Sequence, residues 1–394
     1  MKRKVLLCVA LVVLAALLVP IPSHAEGTGK ESAESPELVD ISQQIDLSKV
    51  KGMLDQLDKD VKESLPEFSL SKTFEDLKSG KFTLSPKEFS QNILKAMLKE
   101  IVTNAPLIAK LLILAVLCAV INQLQLAFSG SVAKTAQMLV YLVLLGIAIT
   151  SFKIALDVGS KAIDNMVSFM QATLPVMYAI LLAMGNLTSA ALFKPIVLGS
   201  LVFLASVVKS VVLPLFFFGI VLRLFNSISE QFRLSKLASL LEFVGKFSIG
   251  AVMTIFIGIM SVEGVTGGVA DGVALRTVKY SADLIPVVGK FFKDAVELVA
   301  SSGLLLKNAL GLVSLLAIVI ITLAPVIKII AMMFTFKISA ALVEPLGEKK
   351  LADCLQDMSK GLLYIFTAVA AVAIMFFMAI TIVIGAGNLA VMLH

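Results

Sequence analysis

The sequence predicts an all-α, polytopic membrane protein, and three observations support that prediction. Of the 394 residues, 58% are hydrophobic and only 16% are charged, whereas soluble globular proteins carry about 25% charged residues. The mean hydropathy is +0.96. Apolar stretches long enough to cross a hydrocarbon core of about 30 Å recur from Pro106 onward.

The first 25 residues have the pattern of a cleaved secretory signal peptide. Lys2, Arg3 and Lys4 form a basic start, residues 5–19 form a short apolar core, and Ala25 ends a small-residue motif. We predict cleavage after Ala25. The alternative is an uncleaved first membrane anchor.

Residues 26–104 differ from the rest of the chain because acidic residues outnumber basic ones there. Residues 26–40 read as a disordered linker. Two amphipathic helices follow, and the second begins at the capping box Ser85-Pro86-Lys87-Glu88. We expect a small helical extracytoplasmic region that packs on a partner, on itself or on the membrane surface. An isolated helical cap is the alternative.

Residues 105–394 form the predicted membrane domain. Six or seven apolar spans are expected, of which the third is the weaker one: 106–128, 135–152, 174–193, 195–225, 247–262, 309–336 and 361–386. The fourth span is too long for one straight crossing. It contains Lys209 and Pro214, which indicates a kink or two pieces.

A repeated unit organises this domain: a helix that starts at a proline, a polar elbow, and a second apolar helix. Pro106, Pro214 and Pro325 start the three units. The second elbow, KLASLLEFVGK (236–246), and the third elbow, KLADCLQDMSK (350–360), agree at five of eleven positions. The first elbow matches only loosely. We therefore predict three pseudo-repeated helical hairpins, with duplication that retains no symmetry as the alternative.

The second and third elbows are candidate surfaces for docking a partner. The candidate residues are Lys236, Leu237, Leu241 and Lys246 in the second elbow and Lys350, Leu351, Leu355 and Lys360 in the third. An apolar face flanked by lysines suits an interfacial helix, which lies either on lipid or against a partner. Export of the N-terminus would place the elbows in the cytoplasm. Basic residues support this at the second elbow but also occur in the opposite connector.

No enzyme signature occurs in the sequence. With the signal peptide removed, His394 is the one histidine, and Cys118 and Cys354 lack metal-ligand spacing. Walker and dinucleotide-binding patterns are absent. Asp157 and Asp164 fall in an expected connector, which argues against a protease with paired intramembrane aspartates. We predict a non-enzymatic protein with no metal, no cofactor and no nucleic-acid partner.

Charged residues within or beside the spans are candidate pathway residues, because a charge in the bilayer core is costly unless it faces water or protein. Lys209 and Lys328 lie close to two of the unit prolines, and Glu263 ends a span beside a glycine cluster. The candidate pathway or hinge residues are Pro106, Pro214, Pro325, Lys209, Lys328 and Glu263. The alternative for the lysines is snorkelling to the interface.

This architecture, together with the segment LPLFFFGIVLRLFNSISEQFRLSKLASLLEFVGK (213–246), resembles the stage III sporulation protein AE family of endospore-forming bacteria. The resemblance covers essentially the whole chain and includes no catalytic signature. It implies a component of a secretion-like channel complex between mother cell and forespore, located in the mother-cell-derived membrane around the forespore. The implied partners are other membrane proteins, a cytoplasmic ATPase and ring-forming components. The implied role is in sporulation and late forespore gene expression.

The residues themselves are also compatible with two other functions. A stand-alone secondary transporter or permease would also use repeats, proline-broken helices and intramembrane lysines. A pure scaffold would tolerate loss of charge in the spans but not changes in the elbows.

Overall fold

The computed structural model describes residues 52, 86–125, 130–184, 186–228, 234–283 and 288–392, and these residues are almost entirely helical. Eight α-helices follow one another, with no strand among the described residues: α1 (Pro86–Thr103), α2 (Ala105–Gln125), α3 (Gly130–Ala183), α4 (Leu187–Val207), α5 (Leu213–Ile228), α6 (Ser235–Asp283), α7 (Val288–Val343) and α8 (Lys349–Met392). The predicted all-helical class is therefore confirmed.

Five of the described helices are long and apolar enough to cross a membrane, or six if the bent pair α1 and α2 forms one span. The five stretches are Met138–Ala183, Ile196–Asn226, Ser235–Val262, Leu306–Leu346 and Lys349–Gly385. This pattern supports a multi-pass helical membrane protein. The predicted signal peptide lies outside the described residues, and the three-hairpin repeat stays a prediction.

Helix α3 differs from the spans that hydropathy predicts. The sequence indicates two spans, 135–152 and 174–193, with a connector between them, but one helix runs unbroken from Gly130 to Ala183. The intervening residues keep helical periodicity, with most polar side chains exposed and most apolar ones buried; Ile154, which is 47% exposed, and the buried Thr173 are exceptions. Asp157 and Asp164 therefore lie within one continuous helix.

The long fourth span is one helical run with a π-helical turn, Val208–Val212, between α4 and α5. The amide of Leu213 donates to the carbonyl of Val208, five residues earlier. Pro214 follows at once; it has no amide hydrogen, and its ring would press on the carbonyl four residues before it. The wider π turn relieves that conflict without ending the helix.

The other two unit prolines occupy different positions. Pro106 is the second residue of α2, where a missing amide hydrogen costs nothing, and it follows a bend of 42° between α1 and α2. Pro325 lies inside α7 and is half-buried. The repeated proline thus lies at the start of a helix in the first unit, whereas in the third unit it lies within a helix that continues past it.

Helix α8 is the central element of the described core. It packs most extensively on α7 and also contacts α3, α5 and α6. Its inward residues, among them Leu362, Val372 and Phe376, are fully buried. Glycines permit the closest approaches: an added Cβ at Gly361 would lie 2.5 Å from Ile220 Cγ1 and 2.7 Å from Phe152 Cε2. Small residues at helix crossings are typical of membrane bundles, where close packing replaces the hydrophobic effect.

We predict that Gly361→Ala destabilises the folded protein by about 1–3 kcal/mol, because the new methyl group overpacks the crossing of α8 with α3 and α5. Thermal unfolding in detergent would measure the loss. Gly385→Ala on the same helix is the matched control, since nothing lies within 4 Å of its added Cβ. Equal stability of the two variants would contradict the assigned crossing.

Candidate functional site at the elbow ends of the helices

Glu242, in the second elbow at the start of α6, is a buried carboxylate with only 5% of its surface exposed. Arg223 of α5 approaches Oε1 with Nη2 at 2.6 Å, and its Nε donates to the same oxygen at 2.8 Å. The hydroxyl of Tyr364 on α8 donates to Oε2 at 3.1 Å. Lys246 Nζ lies 3.7 Å from Oε2. Groups from three helices thus satisfy one carboxylate.

The same network reaches the third elbow at the start of α8. Arg223 Nη1 lies 3.9 Å from Asp357 Oδ1, and Lys360 donates to that oxygen at 2.8 Å. The Lys246 ammonium lies 4.3 Å from the centroid of the Tyr364 ring, a cation–π geometry. We call this set the elbow network: Arg223, Glu242, Lys246, Asp357, Lys360 and Tyr364.

Two glycines let α5 and α6 approach closely enough to form the network. A Cβ at Gly219 would lie 3.3 Å from Glu242 Cγ, and one at Gly245 would lie 2.5 Å from Phe216 Cε1. The Phe216 ring in turn lies 5.1 Å from the Tyr364 ring. Short helix separation and aromatic packing therefore hold the Arg223 guanidinium near the carboxylate.

The network acts as a lock between α5, α6 and α8. A buried carboxylate is tolerated only when charged and hydrogen-bonding partners replace water. Separating α5 from α6 would part the Arg223–Glu242 ion pair in an apolar setting, and moving α8 away would remove the Tyr364 hydroxyl from the same carboxylate. The geometry therefore favours one fixed arrangement of the two elbows.

A second contact connects α2 to the residue that precedes α8. The Cys118 thiol, fully buried near the end of α2, donates to Glu348 Oε2 at 3.2 Å. Glu348 is buried, and its carbonyl accepts the Ala352 amide at 3.0 Å as α8 begins. Gly347 precedes it with a φ of +84°, a conformation that favours glycine. The end of α2 and the start of α8 thus meet on the elbow side.

The second elbow presents an apolar face to its surroundings. The exposed fractions are 47% for Leu237, 55% for Leu240, 64% for Phe243 and 38% for Val244 in the elbow, and 67% for Phe247, the residue that follows it. We call these five residues the outer elbow face. The neighbouring candidates differ: Lys236 and Lys246 are exposed, and Leu241 is half-buried.

The third elbow has the opposite environment despite its similar sequence. Leu351 and Leu355 are fully buried, whereas Lys350 and Lys360 are exposed. The leucines of the two elbows differ in exposure because α8 lies at the centre of the core and α6 lies at its edge. This corrects the expectation that both elbows offer leucines for docking: the described leucines of the third elbow belong to the core.

The candidate pathway residues lie apart from the elbow network. Lys209, on the π turn, donates to both carboxylate oxygens of Asp164 on α3, at 2.6 and 2.7 Å. The two side chains are 37% and 51% exposed. Lys328 is exposed on α7. Glu263 lies on α6, and its side chain lies outside the described part of the structure.

Sequence reasoning missed most of the elbow network. Arg223 carried the clearest signal, because it is the one charged residue in the apolar segment 213–228 and has to find a partner there. Lys307 was also missed: it is fully buried on α7, and its ammonium donates to the Ile384 carbonyl at 2.7 Å. The residues next to Arg223 and Lys307 in the sequence are largely apolar, so they do not indicate which group each cation contacts in the fold.

The charged side chains of the elbow network are arranged in ion pairs and not in a metal-binding cluster. Within the described residues, no group of three or more histidine, cysteine, aspartate or glutamate side chains is placed to hold a metal ion. Glu242 is paired with Arg223 of a neighbouring helix, and Asp357 is paired with Lys360 of its own helix. The network is therefore suited to fixing helices and presenting a surface.

Comparison with known proteins gives a consistent match to one family. The family model described as stage III sporulation protein AE matches residues 68–387. A curated relative, the stage III sporulation protein AE of Bacillus subtilis (strain 168), is 35% identical over 331 residues, which cover 84% of this chain and 83% of the relative. No solved structure matches significantly.

We predict that Glu242→Gln lowers the stability of the fold by about 1–3 kcal/mol, because it leaves Arg223 without its buried counter-charge. Thermal unfolding in detergent would measure this loss. Tyr364→Phe, which removes one neutral donor to the same carboxylate, should cost about 0.5–1.5 kcal/mol.

Asp353→Asn is the control for this prediction, because Asp353 is exposed in the third elbow. It should leave the unfolding temperature unchanged. If Glu242→Gln unfolded at the same temperature as Asp353→Asn, the network would not be a lock.

Proposed function

This chain belongs to the stage III sporulation protein AE family, and we propose that it is a non-enzymatic integral membrane component of a secretion-like channel that connects mother cell and forespore. It serves sporulation and late forespore gene expression. Its partners are other membrane proteins of the same complex, a cytoplasmic ATPase and ring-forming components. It resides in the mother-cell-derived membrane around the forespore, with its N-terminal region extracytoplasmic.

The outer elbow face is the observation that supports this role best. It carries two aromatic side chains, Phe243 and Phe247, whose rings stack with centroids 6.4 Å apart. Rigid exposed aromatic groups are common anchors of protein interfaces. The elbow network holds the backbone beneath them, so binding would cost little conformational entropy.

Charge at the elbow ends supports a cytoplasmic orientation. Lys236 and Lys246 in the second elbow, and Lys349, Lys350 and Lys360 at the third, are all exposed. Lysine-rich loops stay on the cytoplasmic side of membranes. The outer elbow face then lies at or near the cytoplasmic surface of the membrane, where a cytoplasmic ATPase or a membrane partner can reach it.

We expect affinity purification of the full chain from sporulating cells in mild detergent to recover other membrane proteins of the complex and an ATPase. The double variant Leu237→Ser and Leu240→Ser should lose several-fold of the captured partner, because it removes apolar contact area from the outer elbow face. Quantitative mass spectrometry of the captured proteins would measure this.

The matched control is Lys349→Ser with Asp353→Ser, which changes two exposed residues in the first two turns of α8. It should retain the partners. Recovery of no sporulation-complex protein with the unaltered chain would contradict the proposed function. If both double variants captured equal amounts of partner, the outer elbow face would not be the surface that binds the partners.

A second candidate function, a stand-alone transporter, is favoured by one observation. The Lys209–Asp164 ion pair lies on a π turn next to Pro214. π turns within long helices often occur at functional sites, and broken helices with paired charges are common in secondary transporters. This candidate requires transport by the isolated chain.

We predict that purified full-length protein in lipid vesicles does not take up amino acids, sugars or inorganic ions against a gradient. Lys209→Ala and Lys328→Ala should behave as the unaltered chain does. Isotope uptake into the vesicles would measure this. Uptake by the unaltered chain that Lys209→Ala abolishes would favour the transporter instead.

A further inference from the structure

Helix α3 carries a stripe of polar side chains along one exposed face. Lys153, Asp157, Lys161, Asp164 and Gln171 are all exposed, at spacings of three, four or seven residues that place them on one side of a helix. Ser160 and Ser168 lie on the same side and are half-buried. We call these seven residues the polar stripe.

The polar stripe is confined to the middle of its face. Toward the elbow end the same face exposes Leu139 at 59% and Val143 at 52%, and toward the other end it exposes Leu182 at 48%. The opposite side of α3 is packed into the core, where Gly159 meets Ile365 of α8. Along its length, the exposed face of α3 therefore changes from apolar to polar and then back to apolar.

Other helices expose apolar residues at the height of the polar stripe. α3 and the α4–α5 run are antiparallel, since Phe152 meets Phe217 and Asp164 meets Lys209. Counting back from Lys209 therefore places Phe203, which is 65% exposed, near the height of Gln171. One height of the bundle thus has an apolar side and a polar side.

Helix α6 adds to the apolar side. Gly245 meets Phe216 of α5, so the helix runs from that level toward the end of the bundle where α4 begins. Ile255 and Val262, further along it, are 53% and 63% exposed. Lipid is the natural surrounding for this side.

The length and charge of the polar stripe indicate what faces it. From Lys153 to Gln171 the helix rises 18 steps of about 1.5 Å, or about 27 Å, close to the thickness of a bilayer core. Lysine and aspartate alternate along it, which is typical of a hydrated helix surface. Placing the four charged side chains of the polar stripe against the hydrocarbon of the bilayer would cost a large amount of free energy.

We propose that the polar stripe is one wall of a water-filled passage across the membrane, open to hydrophilic solutes of either charge. The Lys209–Asp164 pair lies on this wall, about midway along it. The inference rests on the channel function proposed above, and the other membrane proteins of that complex supply the remaining walls.

Single cysteines can test water access along the wall. Asp157→Cys and Gln171→Cys report on the stripe, and Phe203→Cys and Val262→Cys are matched controls on the apolar side. The native Cys118 and Cys354 are buried and serve as internal background. The probe is a positively charged, membrane-impermeant methanethiosulfonate, applied to full-length protein in membranes from sporulating cells.

We expect the two stripe cysteines to react about tenfold faster than the two controls, because the reagent needs a hydrated thiolate. Equal fast reaction at all four positions would place this height outside the bilayer and overturn the inference. No reaction at either stripe cysteine would mean that protein covers the stripe, which would also overturn it. Neither result would affect partner capture by the same variants, which tests the proposed function separately.

Discussion

The fold depends on a constraint imposed by burial: a carboxylate enclosed by apolar helices must be met by cations and hydrogen-bond donors. Glu242 meets this requirement with Arg223 from one helix, Tyr364 from another and Lys246 from its own. No single helix could satisfy it alone. The positions of α5, α6 and α8 relative to one another follow from that need, and so does the presentation of the outer elbow face.

The same constraint explains why two similar elbows have different roles. In the second elbow, Glu242 faces inward, whereas Leu237 and Leu240 face outward. In the third, Asp357 lies at the edge of the network, and Leu351 and Leu355 fill the core. Whether a residue of an elbow is exposed or buried therefore depends on the place of its helix in the bundle. Two segments of similar sequence can differ in which of their side chains are exposed.

The helical class and most of the apolar stretches could be predicted from sequence, because hydropathy and helical periodicity are local properties. Hydropathy alone did not predict that α3 continues through the charged residues around Asp157, although amphipathic periodicity runs through them. It also failed at long range. Lys209 and Asp164 are 45 residues apart, and only the antiparallel register of α3 with the α4–α5 run brings them together. The outward leucines of the second elbow were predicted as a face, but their exposure depends on the peripheral position of α6.

The unbroken course of α3 also has a mechanical consequence. Its 54 residues form a rod of about 80 Å, more than twice the thickness of a bilayer core. If α3 tilted as one body, a tilt of about 5° would displace its far end by about 7 Å. Such a tilt would couple the two sides of the membrane through one helix, and Pro175 is the position at which that helix would bend.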